Sequence, residues 1–207
     1  MNVDRAPATR SIVFHEGRLG RPERERLLGQ QGCAVWLTGL SGSGKSTIAR
    51  ALEAVLYDEG RLVYVLDGDN LRHGLNADLG FSPADRRENV RRTGEVAALF
   101  ADAGVIAVAA LISPFASDRE QVRRAVGAPN FIEVYLDVPL AVCEERDPKG
   151  MYRKARAGLM AEFTGISSPY EPPASPDLVL RTAEAGVEEC VQSIRRELQK
   201  RGILPAP

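Results

Sequence analysis

The chain is poor in the features that mark several functional classes. It has 3 cysteines in 207 residues, Cys33, Cys143 and Cys190, all far apart. That spacing excludes a disulfide framework and a paired-cysteine zinc site, and it fits a reducing, cytoplasmic setting. Of the 2 histidines, neither His15 nor His73 has a partner at metal-ligand spacing, so both read as structural. No apolar run approaches the ~18–20 residues of a membrane span. The opening MNVDRAPATR lacks the apolar core of a secretory signal. Lys+Arg number 27 against 28 Asp+Glu, a formal charge of −1. There is no overall cationic field to hold nucleic acid or an anionic membrane. Tandem repeats and low-complexity tracts are also missing.

What is present describes one folded domain. Hydrophobic residues make up 44% and charged residues 27% of the chain, too apolar for a disordered protein. Strand-like runs alternate with helical patterns. The runs are Cys33–Leu37, Leu62–Leu66, Val105–Leu111, Phe131–Leu136 and Leu178–Leu180. Between them, Ile48, Leu52, Val55 and Leu56 recur at helical spacing, as do Val187, Val191, Ile194 and Leu198. Arg21–Arg26 reads as the charged start of a short helix. Ser82-Pro83-Ala84-Asp85 predicts a helix start, with Ser82 as N-cap, running to about Ala103. Ser117-x-x-Glu120 has capping-box spacing and is expected to open a further helix. The alternation predicts an α/β fold, a mostly parallel sheet covered by helices on both faces. Residues 147–176 break the rhythm with Lys149, Arg153, Lys154 and Arg156 followed by Pro169, Pro172, Pro173 and Pro176. They read as a long irregular segment able to close over transferring phosphates.

The most specific local signal is Gly39-Leu40-Ser41-Gly42-Ser43-Gly44-Lys45-Ser46, followed by Thr47. It matches G-x-x-x-x-G-K-[ST], the P-loop. Glycines let successive N–H groups point at phosphate oxygens, and the following helix adds its positive end. Lys45 is placed to reach the β- and γ-phosphates, and the Ser46 hydroxyl to ligate Mg²⁺. The motif follows an apolar strand and precedes an amphipathic helix, as that mechanism requires. No Asn-Lys-x-Asp base-reading motif accompanies it, so a GTP switch is disfavoured. The third strand carries no acid at its tip, which disfavours a motor ATPase.

Asp67 and Asp69, at the end of the second strand, fall where ligands collect in a doubly wound sheet. One of them can orient a substrate hydroxyl and take its proton. Asp-Gly-Asp-Asn is equally good turn chemistry, and the motif alone serves either reading. Beyond it come Arg72, Phe81, Arg86, Arg87, Asn89, Arg91 and Arg92. Arginine forks suit phosphate or sulfate, and a phenyl ring such as Phe81 can stack on a purine. Arg87 and Arg92 serve equally well as surface partners of acids.

Assembled, these pieces resemble the adenylylsulfate kinase (APS kinase) family. The matching stretches are IVFH at 12–15, WLTGLSGSGKST at 36–47 and LDGDNLRHGLNADLGFSPADRRENVRR at 66–92. Further on lie LISPFASDR at 111–119, VYLDVPLAVCEERDPKGMYRKARAG at 134–158 and EFTGISSPYEPP at 162–173. The resemblance implies a P-loop kinase fold with a five-stranded parallel sheet of order 2-3-1-4-5. It implies an amino-terminal extension over residues 1–30, docking on the ATP or partner side, and a domain over 31–207 with a mobile lid at about 147–176. The implied reaction moves the γ-phosphoryl of ATP, with Mg²⁺, to the 3′-hydroxyl of adenosine 5′-phosphosulfate (APS). By resemblance Asp69 is the catalytic base and Asp67 lies near metal and ribose. Arg72, Arg86, Asn89 and Ile112 hold the acceptor, Phe81 and Phe163 sandwich its adenine, and Lys154 comes from the lid. Ser113 falls at the family's serine described as phosphorylated or as a phospho-intermediate. Where relatives read Gly-Leu-Tyr-Lys-Lys, this chain reads Gly150-Met151-Tyr152-Arg153-Lys154. Homodimers are common in the family, and ATP sulfurylase is a possible partner. Two readings compete: a small-metabolite kinase of the gluconate or shikimate sort, and a non-catalytic module that senses APS or its product.

Overall fold

The computed structural model of the chain describes Val13, His15 and residues 17–205. Ile12 and Phe14 of the IVFH stretch, and residues 1–11 of the extension, lie outside the described residues. Five parallel strands form one sheet in the order β2-β3-β1-β4-β5. They are β1 (Cys33–Thr38), β2 (Val63–Asp67), β3 (Ile106–Ala110), β4 (Phe131–Leu136) and β5 (Leu178–Leu180). The strands, their parallel pairing and their order agree with the expectation, boundaries differing by a residue at some ends.

Strand β1 shows why an unbroken apolar run marks the sheet centre. All six residues are buried, and alternate side chains serve opposite faces. Cys33, Val35 and Leu37 join Ile48, Leu52 and Leu56 of α2 (Lys45–Asp58) and Val191, Ile194 and Leu198 of α8 (Val187–Lys200). Ala34 and Trp36 face the other way, toward Val90, Ala97 and Ala101 of α4 (Pro83–Asp102) and Val122 and Val126 of α5 (Ala116–Val126). Burial pushes the Cys33 thiol up to about 12, as befits a small core hydrophobe.

Helix α4 begins as its sequence predicts. The Ser82 hydroxyl accepts the Asp85 N–H at 3.2 Å, with Pro83 in the first turn. Helix α5 begins differently. It starts at Ala116, ahead of the expected Ser117 box, and the Ala116 N–H is held by the Glu171 carboxylate at 2.7 Å. A cap delivered from 55 residues away leaves no local signature. Residues 147–176 are less irregular than expected, because they include α7 (Met151–Arg156) and contribute Tyr152, Ala155 and Phe163 to a small apolar cluster with Val138 and Cys143.

The described part of the amino-terminal extension is anchored to the domain. Helix α1 (Arg21–Leu28) is folded onto the body, and Gln30 donates to the Gly104 carbonyl at 2.7 Å. Gln30 also accepts the Leu62 N–H at 2.8 Å. Gly104 and Leu62 precede β3 and β2, so this part packs at the amino ends of the strands rather than on the ATP side.

Close contact of α4 with α5 requires Gly94. A Cβ there would sit 2.5 Å from Cγ2 and 3.1 Å from Cγ1 of Val122, a buried side chain with no room to yield. Gly94→Val is therefore expected to lower stability at the upper end of the ~1–3 kcal/mol of over-packed cores. Urea unfolding measures it, and an unchanged midpoint would contradict this packing.

Candidate active site

A cleft of about 610 Å³ opens at the carboxyl ends of the strands. This is where order reverses about β1 and where ligands collect in such sheets. Ser41, Gly42, Gly44, Lys45, Ser46 and Thr47 form one wall. Gly42 has φ 76°, and a Cβ on it would meet the Cys143 carbonyl at 2.9 Å. Only glycine allows the loop to curl this tightly beside α6 (Leu140–Arg146). Gly39, Leu40 and Ser43 contribute differently from the expectation that all nine residues face the nucleotide. The Leu40 side chain packs on the apolar cluster of the lid. The carbonyls of Gly39 and Leu40 hold the Lys45 ammonium at 3.0 and 2.7 Å, and Ser43 is wholly buried. Burial lowers Lys45 to about 8, against which Asp69 and Asp67 act in its favour.

Asp67 joins the two halves of the cleft. Its Oδ2 accepts the Ser46 hydroxyl at 2.6 Å. Its Oδ1 accepts the backbone N–H groups of Asp69 and Asn70 at 3.0 and 3.4 Å, capping the short helix α3 (Gly68–Leu71). That cap sets Asp69 at the cleft wall, its side chain largely exposed. Among the described residues no cluster of three or more His, Cys, Asp or Glu could hold a metal ion. One hydroxyl beside one carboxylate is instead the donor set of a cation bound mainly through phosphates and water.

Opposite the loop stand Arg72, Phe81, Arg86, Asn89, Ile112 and Ser113. Phe81 is half exposed, with the Arg72 guanidinium 4.4 Å and that of Arg86 5.8 Å from its ring centre. Backbone carbonyls aim both forks. Arg72 donates to Leu79 and Gly80 at 3.0 and 2.8 Å, and Arg86 donates to Phe81 and Glu162 at 2.9 and 2.7 Å. Asn89 is buried, and its Oδ1 accepts from Asn76 Nδ2 at 2.9 Å, which leaves its own amide nitrogen for the cleft. Arg92 pairs with Asp78 and Glu88, the surface role open to it, while Arg87 lies over the Phe115 ring at 4.9 Å.

Three expectations for this wall change. The Phe163 ring does not line the cleft. It is 6% exposed and packs edge-on against Tyr152, centroids 4.9 Å apart, because the lid has its own apolar cluster to fill. Lys154 is exposed on α7 and does not reach the cleft. The lid cation that does is Lys149, whose ammonium contacts Asp69 Oδ2. Ser113, finally, is 2% exposed, accepts the Trp36 indole N–H at 3.1 Å and donates to Thr38 Oγ1 at 3.0 Å. With its proton committed to Thr38 and its hydroxyl enclosed, Ser113 holds a turn. His73 is exposed.

Sequence reasoning missed Arg146 and Thr182, and it counted Lys149 among the basic residues of the lid without placing it in the site. Thr182 donates to the Ser43 carbonyl at 2.7 Å, and Arg146 donates to the Thr182 carbonyl and hydroxyl at 2.6 and 3.0 Å. Both line the cleft beside the loop.

Comparison with known proteins agrees with this geometry. The family model for adenylylsulphate kinase matches residues 31–181. The chain is 55% identical to the adenylyl-sulfate kinase of Marinobacter nauticus, over 94% of this chain and 98% of that one. It is 57% identical to the probable adenylyl-sulfate kinase of Halalkalibacterium halodurans, over 88% and 91%. Among solved structures it is similar to the Mycobacterium tuberculosis APS kinase CysC, in complex with AMPPNP and APS. Identity there is 51% and the TM-score 0.79, covering 82% of this chain and 99% of that one.

The Lys45 environment yields a pH dependence. A cation lowered to about 8 by burial is charged below that pH and neutral above it, so attraction for a polyphosphate fades as pH rises through about 8. Calorimetric titration with ATP is expected to give weaker binding at pH ~9 than at pH ~7. Equal affinity at both would contradict this account of Lys45.

Proposed function

Because the chain belongs to the adenylylsulphate kinase family, we propose that the loop wall of its cleft holds MgATP and the facing wall APS, with Asp69 between them. The protein is an ATP-dependent kinase that phosphorylates the 3′-hydroxyl of adenosine 5′-phosphosulfate, giving the 3′-phosphorylated product. The observation that carries the residue assignment is the placement of Ser46, Asp67 and Asp69 in one hydrogen-bonded unit between a phosphate-binding loop and a pair of arginines.

In this reading the loop N–H groups and Lys45 bind the β- and γ-phosphates. Lys45 gives up its contacts with the Gly39 and Leu40 carbonyls to do so. Ser46 and Asp67 would hold Mg²⁺, which when bound neutralises charge on the transferring phosphoryl group. Arg72, Arg86 and Asn89 grip the phosphosulfate, and Phe81 stacks on the adenine. Asp69 accepts the proton of the 3′-hydroxyl as that oxygen attacks in line, and the leaving group is ADP. Direct transfer needs positioning and charge stabilisation, and no serine intermediate. Lys149, which contacts Asp69, can turn to the phosphates when the lid residues close.

Two arginines flanking a phenyl ring favour a nucleotide acceptor over the small polyol of a gluconate-type kinase. Intact Lys45, Ser46 and Asp69 favour turnover over mere sensing. Among the described residues no helix is long and apolar enough to cross a membrane. A cytoplasmic location, a homodimer and an ATP sulfurylase partner are the states that the family resemblance implies.

Incubation with MgATP and APS should yield the 3′-phosphorylated product, and preference for another hydroxyl acceptor would refute the assignment. Asp69→Asn is expected to lower kcat by roughly 10²-fold or more while KM for ATP stays within about twofold. Full turnover in that variant would remove Asp69 from the mechanism. Phe81→Ala should raise KM for APS by about 2- to 10-fold, the worth of ring stacking. A change confined to ATP would place the ring on the donor side.

A further inference from the structure

We propose that Arg119 and Glu171 form a latch that ties the downstream end of the lid to the turn flooring the acceptor side, making both positioning residues for APS. The inference rests on the reading of the cleft given above. The turn is Leu111–Phe115, and its first four residues line the cleft. Ser113 sits there at φ 40°, outside the regions that L-residues favour, so surrounding contacts must hold it.

Those contacts come from α5 and from the chain leaving the lid. Arg119 is 2% exposed, and its guanidinium donates in three directions. Nη1 meets the Ser113 carbonyl at 2.7 Å, Nη2 the Glu171 carbonyl at 2.8 Å and Nε the Glu133 carboxylate at 2.7 Å. Glu171 answers twice. Its N–H donates to the Pro114 carbonyl at 2.8 Å, and its carboxylate accepts the Ala116 N–H at 2.7 Å. The second contact supplies α5 with the anionic cap that its own sequence does not provide. The neighbouring Tyr170 hydroxyl lies 3.0 Å from Thr38 Oγ1, which also accepts from Ser113.

One buried fork therefore fixes a strained turn and the lid's exit point together. The lid's upstream part carries Lys149 to Asp69. Arg86 of the acceptor wall binds the Glu162 carbonyl midway along the lid. Movement of the lid's downstream end is transmitted to the acceptor floor, whereas the phosphate loop is held by Thr182, by Arg146 and by Tyr152 of the lid's upstream part. The latch predicts a selective effect on the acceptor.

Two variants test it in the full chain. Glu171→Ala removes the cap on α5. Arg119→Lys keeps a cation beside the buried Glu133, so folding is retained, but loses the three-way fork. Both are expected to raise KM for APS by about 5- to 10-fold, the scale of one ordinary hydrogen bond, with KM for ATP within about twofold. Glu171→Gln, whose amide oxygen still accepts from Ala116, should recover most of the loss. Hydrogen exchange without ligand supplies a readout independent of substrate. Peptides covering 111–117 and 168–175 should exchange faster together in either variant. Equal changes in both KM values, or faster exchange in one segment alone, would overturn the latch. Absence of APS turnover in the unaltered protein would instead defeat the functional reading, and the exchange result would still decide the coupling.

Discussion

One carboxylate organises this molecule's cleft. Asp67 accepts the Ser46 hydroxyl on the donor side and the Asp69 and Asn70 amides on the acceptor side. It stands at the end of β2, while Ser46 opens the helix that follows β1. Strand β3 lies between those two strands, so parallel pairing brings their carboxyl ends to one rim. Without that register the loop and the Asp-Gly-Asp turn would be separate pieces of good local chemistry. With it they share a hydrogen-bonded unit, and a phosphoryl group on the loop faces a hydroxyl beside Asp69.

The features legible in the sequence are those encoded within a few consecutive residues. The loop, the Ser82 cap and the strand runs belong to that class, since each follows from local backbone demands or from burial on two faces. The Asp-Gly-Asp turn was visible too, but its role depended on a neighbour across the sheet. What escaped was set by distant chain. Helix α5 takes its cap from Glu171, so Ser117 was a false start. Thr182 and Arg146 brace the loop from beyond β5 and from α6. Residue type alone did not separate Lys149, which reaches Asp69, from Lys154, which faces water. Phe163 was matched to an adenine site by motif, yet in this state burial against Tyr152 claims its ring.

Those long-range contacts divide the cleft into two mechanical parts. The phosphate loop is braced by Thr182, by Arg146 and by Tyr152, whose hydroxyl donates to the Ser41 carbonyl at 2.9 Å. The acceptor wall is braced by Asn76 behind Asn89, by carbonyls behind the two arginines and by the Arg119 fork behind the Ser113 turn. Between them the lid touches both, through Tyr152 on one side and through Arg86 and Asp69 on the other. A rigid donor cradle and an acceptor wall linked to a lid fit a transfer in which water must be excluded after the second substrate arrives.

The most direct test is a crystal structure of the protein with MgADP and APS bound. The account predicts the APS 3′-hydroxyl within hydrogen-bonding reach of Asp69, about 2.6–3.2 Å, with its adenine against Phe81 and its sulfated phosphate on Arg72 and Arg86. A ribose turned away from Asp69, or an adenine seated elsewhere, would contradict it.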